Sequence, residues 1–123
     1  MGSCRASSGV RSSKSERVTA ARVLCPTRAD ECGNTVSALN NYLFAAGLSL
    51  KASGSNDGQT LAGALATATH GTGDAFTNLS AQMVGGRLVA ATGEVLDVGA
   101  DPDLLRAARV SLGALGVLSE ISL

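Results

Sequence analysis

Aromatic side chains are nearly missing from this sequence: its 123 residues include two Phe, one Tyr and no Trp. A core must then be assembled from Leu, Val and Ala, and it is thin for a single domain that would bury about two-thirds of its unfolded surface. Histidine occurs once, as His70, and the three cysteines, Cys4, Cys25 and Cys32, form no Cys-x-x-Cys pair. That pattern excludes the usual zinc spacings, so no metal is expected, and the thiols read as free in a reducing compartment. Charge of one sign is lacking too, with ten basic residues against ten acidic. No whole-chain field therefore favours nucleic acid or an anionic membrane. No run approaches the roughly 18 apolar residues that a membrane helix needs.

The charge balance hides an asymmetry. Arg5, Arg11, Lys14, Arg17, Arg22 and Arg28 crowd the first thirty positions, while most acids lie from Asp57 onward. Residues 1–34 are rich in Ser, Arg and Ala and lack the apolar stretch of a secretory signal, so they are expected to be a disordered or non-family leader. A cytoplasmic protein is expected, or a mitochondrial one if that leader is a transit peptide. Peripheral membrane association stays open.

From Thr35 the texture changes. Val36, Leu39, Leu43 and Phe44 fall at helical spacing, with Thr35 or Ser37 as cap and Gly47 as terminator. Leu48, Leu50 and Ala52 alternate as a brief strand would, and Ser53–Gly58 is a loop dense in turn formers. Residues 82–91 read as a strand with a bulge at Gly85-Gly86, Thr92-Gly93 as a tight turn and Val95–Val98 as the returning strand of a hairpin. Asp101-Pro102 supplies an N-cap and a first-turn proline to a helix running to Val110. Gly113–Gly116 is a bend. Val117–Leu123 alternates as a terminal strand that needs the hairpin as partner. The fold class expected is α+β, a small antiparallel sheet with flanking helices.

The stretch Gln59–Gly73 is made almost wholly of Ala, Gly and Thr, which lets its backbone approach something closely. Thr60 can cap a helix over Leu61–Ala64 whose free N–H groups would face an anion. Beyond it, Thr67, Thr69, His70, Gly71 and Thr72 line one polar loop suited to a large ligand with many acceptors. A second reading stays open on these residues alone: a small-residue helix packed tightly on a sheet, with His70 a hydrogen-bonded structural group.

Several motifs in order carry a resemblance. Gln59-Thr-Leu-Ala-Gly-Ala64, Thr69-His-Gly-Thr-Gly73, Asn78-Leu-Ser80, Gln82-Met-Val84 and Asp103–Val117 together resemble the FAD-linked oxidases of the vanillyl-alcohol oxidase type, with a PCMH-type FAD-binding domain. Within them the chain is most similar to sugar-1,4-lactone oxidases and alditol oxidases, over about residues 36–123. The resemblance implies that residues 35–123 are a partial FAD-binding domain, mainly its second subdomain. It further implies that Thr60, Gly63, Ala64, Thr67, Thr69, His70 and Gly71 lie on a flavin-contacting segment, with Ser80 on the next. Gly116 and Val117 match a bend that faces the adenine end.

The implied cofactor is FAD, and the implied chemistry is transfer of hydride from a CH–OH group of a sugar lactone or polyol to flavin. Two parts of the family pattern are not matched: the Gly-rich pyrophosphate loop, for which residues 1–34 offer no counterpart, and the downstream substrate domain. The chain is therefore expected not to be a competent oxidase by itself. A non-catalytic remnant or interaction module with weak or no FAD binding is the alternative. No catalytic residue is assigned.

Overall fold

A computed structural model of the protein describes residues 22–24 and 33–123. The expected free thiols Cys4, Cys25 and Cys32 and most of the expected leader lie outside those residues. In chain order the elements are β1 (Arg22–Leu24), α1 (Val36–Ala45), α2 (Leu61–Ala66), a 3₁₀ helix (Leu79–Gln82), β2 (Gly85–Val89), β3 (Val95–Asp97), α3 (Pro102–Arg109) and β4 (Val117–Ser122). The strands form one antiparallel sheet in the order β1-β4-β2-β3. The α+β class and the hairpin of β2 and β3 are as expected. The terminal strand finds its partners on both sides. One is β2, and the other is β1, which lies within the segment expected to be a leader and pairs Val23 with Ile121.

Local chemistry explains each helix. Thr35 Oγ1 accepts the Ala38 N–H at 3.1 Å to start α1. Gly47, at φ 71°, ends it: Leu48 N–H donates to the Leu43 carbonyl and Gly47 N–H to the Phe44 carbonyl, the paired bonds of a Schellman motif. Asp101 accepts from the Asp103 and Leu104 N–H groups and opens α3, with Pro102 in the first turn. Phe44, expected on the apolar stripe of α1, instead points to solvent at 84% exposure. Only Val36, Leu39 and Leu43 of that helix are buried.

Two strand assignments are corrected. Residues 48–52 form no strand. Their backbone is held by one side chain: Gln82 Oε1 accepts the Lys51 N–H and Gln82 Nε2 donates to the Ala52 carbonyl, each at 2.9 Å. An amide with both a donor and an acceptor stands in for a neighbouring strand. The expected strand from residue 82 starts only at Gly85, because Leu79–Gln82 winds into the 3₁₀ helix.

The bulge is not at Gly85-Gly86 but in β4, where Ser119 is the extra residue between the pairs Arg87↔Glu120 and Leu88↔Leu118. This overturns the simple alternation of Val117–Leu123. Leu118 and Ile121 are three apart and would face opposite sides of a regular strand, but the bulge turns both into the core. Gly86 remains essential for another reason. A Cβ there would overlap the Glu120 carbonyl of the neighbouring strand.

The core is one cluster drawn from every layer. Val36, Leu39 and Leu43 come from α1, Leu61, Ala64 and Leu65 from α2, and Leu79 and Met83 from the 3₁₀ segment. Leu88, Leu118 and Ile121 come from the sheet, with Val98 after β3 and Ala108 from α3. Arg109 lies partly buried with Nε and one terminal nitrogen both donating to the Met83 carbonyl at 3.0 and 2.8 Å. It ties α3 to the start of the sheet. Arg106 pairs in solvent with Asp103.

Candidate functional site

Helix α2 seats the small-residue stretch through Leu61, Ala64 and Leu65, all fully buried. Its first turn does not become an anion site. Leu61 N–H donates to the Asn34 carbonyl, Gly63 N–H to Thr60 Oγ1 and Ala64 N–H to the Thr60 carbonyl. That leaves Ala62 alone among the first four. The Asn34 bond has a mirror image, Val36 N–H to the Gln59 carbonyl, so the starts of α1 and α2 are joined head to head through a Thr35–Thr60 bridge. The expectation of free N–H groups facing an anion is thereby corrected: docking at the start of α1 engages the Leu61 N–H, and the Thr60 cap engages those of Gly63 and Ala64.

The last turn of α2 is satisfied with equal completeness. Thr67 Oγ1 donates to the Gly63 carbonyl at 2.9 Å, Thr69 N–H to Ala64 and Ala68 N–H to Leu65. The buried Ser80 hydroxyl adds a 2.6 Å bond to the Leu65 carbonyl, and Leu112 N–H reaches Ala66. Here the residue after the cap is Ala68 at φ 54°, a left-handed conformation that an alanine adopts at a cost of about 1–2 kcal/mol. Such strain persists where surrounding contacts over-determine it.

The chain then runs outward. Thr67 and His70 are exposed, Thr69 is half-buried, and Thr69 Oγ1 lies 3.5 Å from Thr67 Oγ1 and 3.4 Å from Gln59 Oε1. His70 Nδ1 lies 2.9 Å from the Gly71 carbonyl. A carbonyl only accepts, so it is Nδ1–H that donates in this contact.

Facing this loop is the segment 51–55. The two touch closely: a Cβ on Gly54 would come 2.7 Å from Thr69 Cγ2, and one on Gly71 2.5 Å from the Ser53 carbonyl oxygen. Glycine at both positions serves the protein's own loop contact. Between Lys51–Ser55 on one side and Gly71, Thr72, Phe76 and Thr77 on the other lies a groove of about 270 Å³, with no Leu or Val in its lining. That is near the lower limit for small-molecule pockets, room for part of a dinucleotide.

Thr60, Gly63, Ala64, Thr67, Thr69, His70 and Gly71 are thus brought together on α2 and its following loop, with Gly71 the one member of the expected set that also lines the groove. Ala64 is buried in the core, and Thr60 Oγ1 is engaged as a cap. Ser80 is 1% exposed, its proton given to Leu65, so it supports the loop from beneath. Gly116 and Val117 stand apart at the start of β4, where Gly116 packs so closely on the Val89 carbonyl that a Cβ would overlap it. Val117 is 69% exposed. Gln82 and the segment Lys51–Ser55 are not among the expected residues. No local pattern announces a side chain that bonds the backbone thirty positions away. Among the described residues no cluster of three His, Cys, Asp or Glu could hold a metal ion, and no helix is long and apolar enough to cross a membrane.

Likeness to known proteins gives this geometry its class. The family model for the FAD binding domain matches residues 29–99, and the chain belongs to that family. The match starts inside the segment expected to be a leader. Among curated proteins the chain is 53% identical over 93 residues to an L-gulono-1,4-lactone dehydrogenase of Mycobacterium tuberculosis, covering 76% of this chain and 22% of that protein. It is 38% identical over 90 residues to a D-arabinono-1,4-lactone oxidase of Yarrowia lipolytica, covering 72% of this chain and 17% of that one. An L-gulonolactone oxidase of Scyliorhinus torazame is 34% identical over 95 residues, covering 76% and 22%. The chain therefore spans about a fifth of the length of the curated relatives it matches.

Proposed function

We propose that this chain forms part of the FAD site of an oxidoreductase that oxidises a CH–OH group of a sugar lactone or polyol, acting in the cytoplasm. The loop Thr67–Gly71 and the facing wall Lys51–Ser55 are the cofactor surface in this reading. One observation carries it: a hydroxyl-rich loop is turned to solvent beside a groove, while a buried serine and four carbonyl-directed bonds fix its inner side. FAD, when bound, supplies the hydride-accepting chemistry, and these residues bind and orient it.

The donor set says which part of the cofactor suits the loop. Thr67 gives its hydroxyl proton to Gly63, so its oxygen offers a ligand lone pairs. Such a ledge accepts from N–H and O–H groups. Flavin and ribityl groups provide those, as the adenosine end does; a pyrophosphate provides acceptors alone. The loop thus suits either end of FAD better than its pyrophosphate, and because the resemblance sets Gly116-Val117 at the adenine end, we place the flavin and ribityl end at Thr67–Gly71.

Purified protein incubated with FAD is expected to keep a flavin absorbance through gel filtration, and Thr69→Ala and His70→Ala are expected to lower the retained fraction. Colourless protein would overturn this reading and select the alternative, a module with weak or no FAD binding. One feature favours that alternative: three of the four leading N–H groups of α2 are already engaged, so this helix offers a pyrophosphate little.

A further inference from the structure

The four-residue 3₁₀ helix Leu79–Gln82 supports both walls of the groove. On one side Leu79 N–H donates to the Thr69 carbonyl at 2.8 Å and Ser80 holds the end of α2. On the other, Gln82 holds Lys51 and Ala52 through its two amide atoms. The two walls are thus spaced by one turn of chain that follows both in sequence. Gln82 is the member of that turn whose side chain reaches across.

We infer that Gln82 is a positioning residue of the candidate cofactor site, setting the Lys51–Ser55 wall at the distance from Thr69–Gly71 that a flavin cofactor requires. The inference rests on the cofactor reading above. The amide is specifically suited to the task because the wall presents one N–H and one C=O to it. A carboxylate in its place would accept from Lys51 but set oxygen against the Ala52 carbonyl, and an apolar side chain would meet neither. Contact then passes through the wall itself, since Gly54 packs on Thr69 and Gly71 on the Ser53 carbonyl. A wall released at Lys51 is free to drift from the loop that carries Thr69 and His70.

The test uses the full chain with Gln82→Ala, Gln82→Glu and a control, Leu105→Ala, which loosens the core from α3. Amide hydrogen exchange and FAD affinity are measured on each. Loss of two hydrogen bonds predicts exchange at Lys51–Ser55 and at Thr69–Gly71 about tenfold faster in Gln82→Ala, with FAD affinity about tenfold weaker. Gln82→Glu should fall between Gln82→Ala and the native protein. Leu105→Ala should leave both readouts near native although its unfolding midpoint falls. Equal weakening of FAD binding by Gln82→Ala and Leu105→Ala would overturn the inference, because Gln82 would then matter for stability alone. If the native protein takes up no FAD, the cofactor reading fails, and the exchange data decide by themselves. Acceleration of both walls in Gln82→Ala supports the positioning role, and acceleration at Lys51 alone or at neither contradicts it.

Discussion

Helices α1 and α2 end in the same hydrogen-bond pattern but with different residues at its turning point. At the end of α1 the left-handed position is Gly47, in open space where an added Cβ would meet nothing within 4 Å. At the end of α2 it is Ala68, held at φ 54°. The first end rests on the bonds of its own local motif. The second is reached from outside by the Ser80 hydroxyl and by Leu112 N–H, itself on a residue at φ 52°. These are the two non-glycine residues with positive φ among those described, and they meet at one helix end. A relaxed stop and an over-determined, strained stop thus sit in one small fold. The strained one leads into the candidate cofactor loop.

The contrast can be broken most severely at its base. Leu65→Ala removes a fully buried side chain beneath the strained end, and urea unfolding should show a loss of about 2–5 kcal/mol. Ser80→Ala takes away the buried bond to the Leu65 carbonyl, which Ala68 still satisfies, so a smaller loss of about 1–2 kcal/mol is expected. Faster exchange at Thr69 should accompany it.

The sharpest comparison is a reciprocal pair. Gly47→Ala should destabilise by about 1 kcal/mol through φ alone, and Ala68→Gly should stabilise by about 0.5–1 kcal/mol by relieving it. Opposite signs in paired thermal melts are expected; like signs would show that Ala68 carries no strain. Phe44→Ser, at an 84% exposed site on the relaxed side, should change stability by less than about 0.5 kcal/mol.

What is legible in the sequence is what short range decides. Thr35, Thr60 and Asp101-Pro102 announce their helices because a cap acts on N–H groups two or three residues away. Gly47 announces a stop for the same reason. The segment 48–52 misleads because its alternation is real but its partner is the side chain of Gln82 and not a strand. The bulge at Ser119 escapes a sequence reading because register depends on which β2 residues the strand meets. Leu118 and Ile121 can share the core face only by inserting one residue.

The candidate loop is legible as polar and close-approaching. Its glycines suggest room made for a ligand, whereas Gly54 and Gly71 first make room for each other's loops. The engagement of the Leu61 N–H by the Asn34 carbonyl lies beyond reach of the sequence, since it needs the head-to-head placement of α1.

The central claim is that the Thr67–Gly71 loop receives the flavin and ribityl end of FAD. Amide NMR shifts recorded during separate titrations of the protein with FAD, riboflavin and ADP test it most directly. Saturable shifts at Thr67–Gly71 and Lys51–Ser55 are predicted with FAD and with riboflavin, and ADP should leave those residues still. Shifts there with ADP but not with riboflavin, or no saturable shift with FAD, would contradict it.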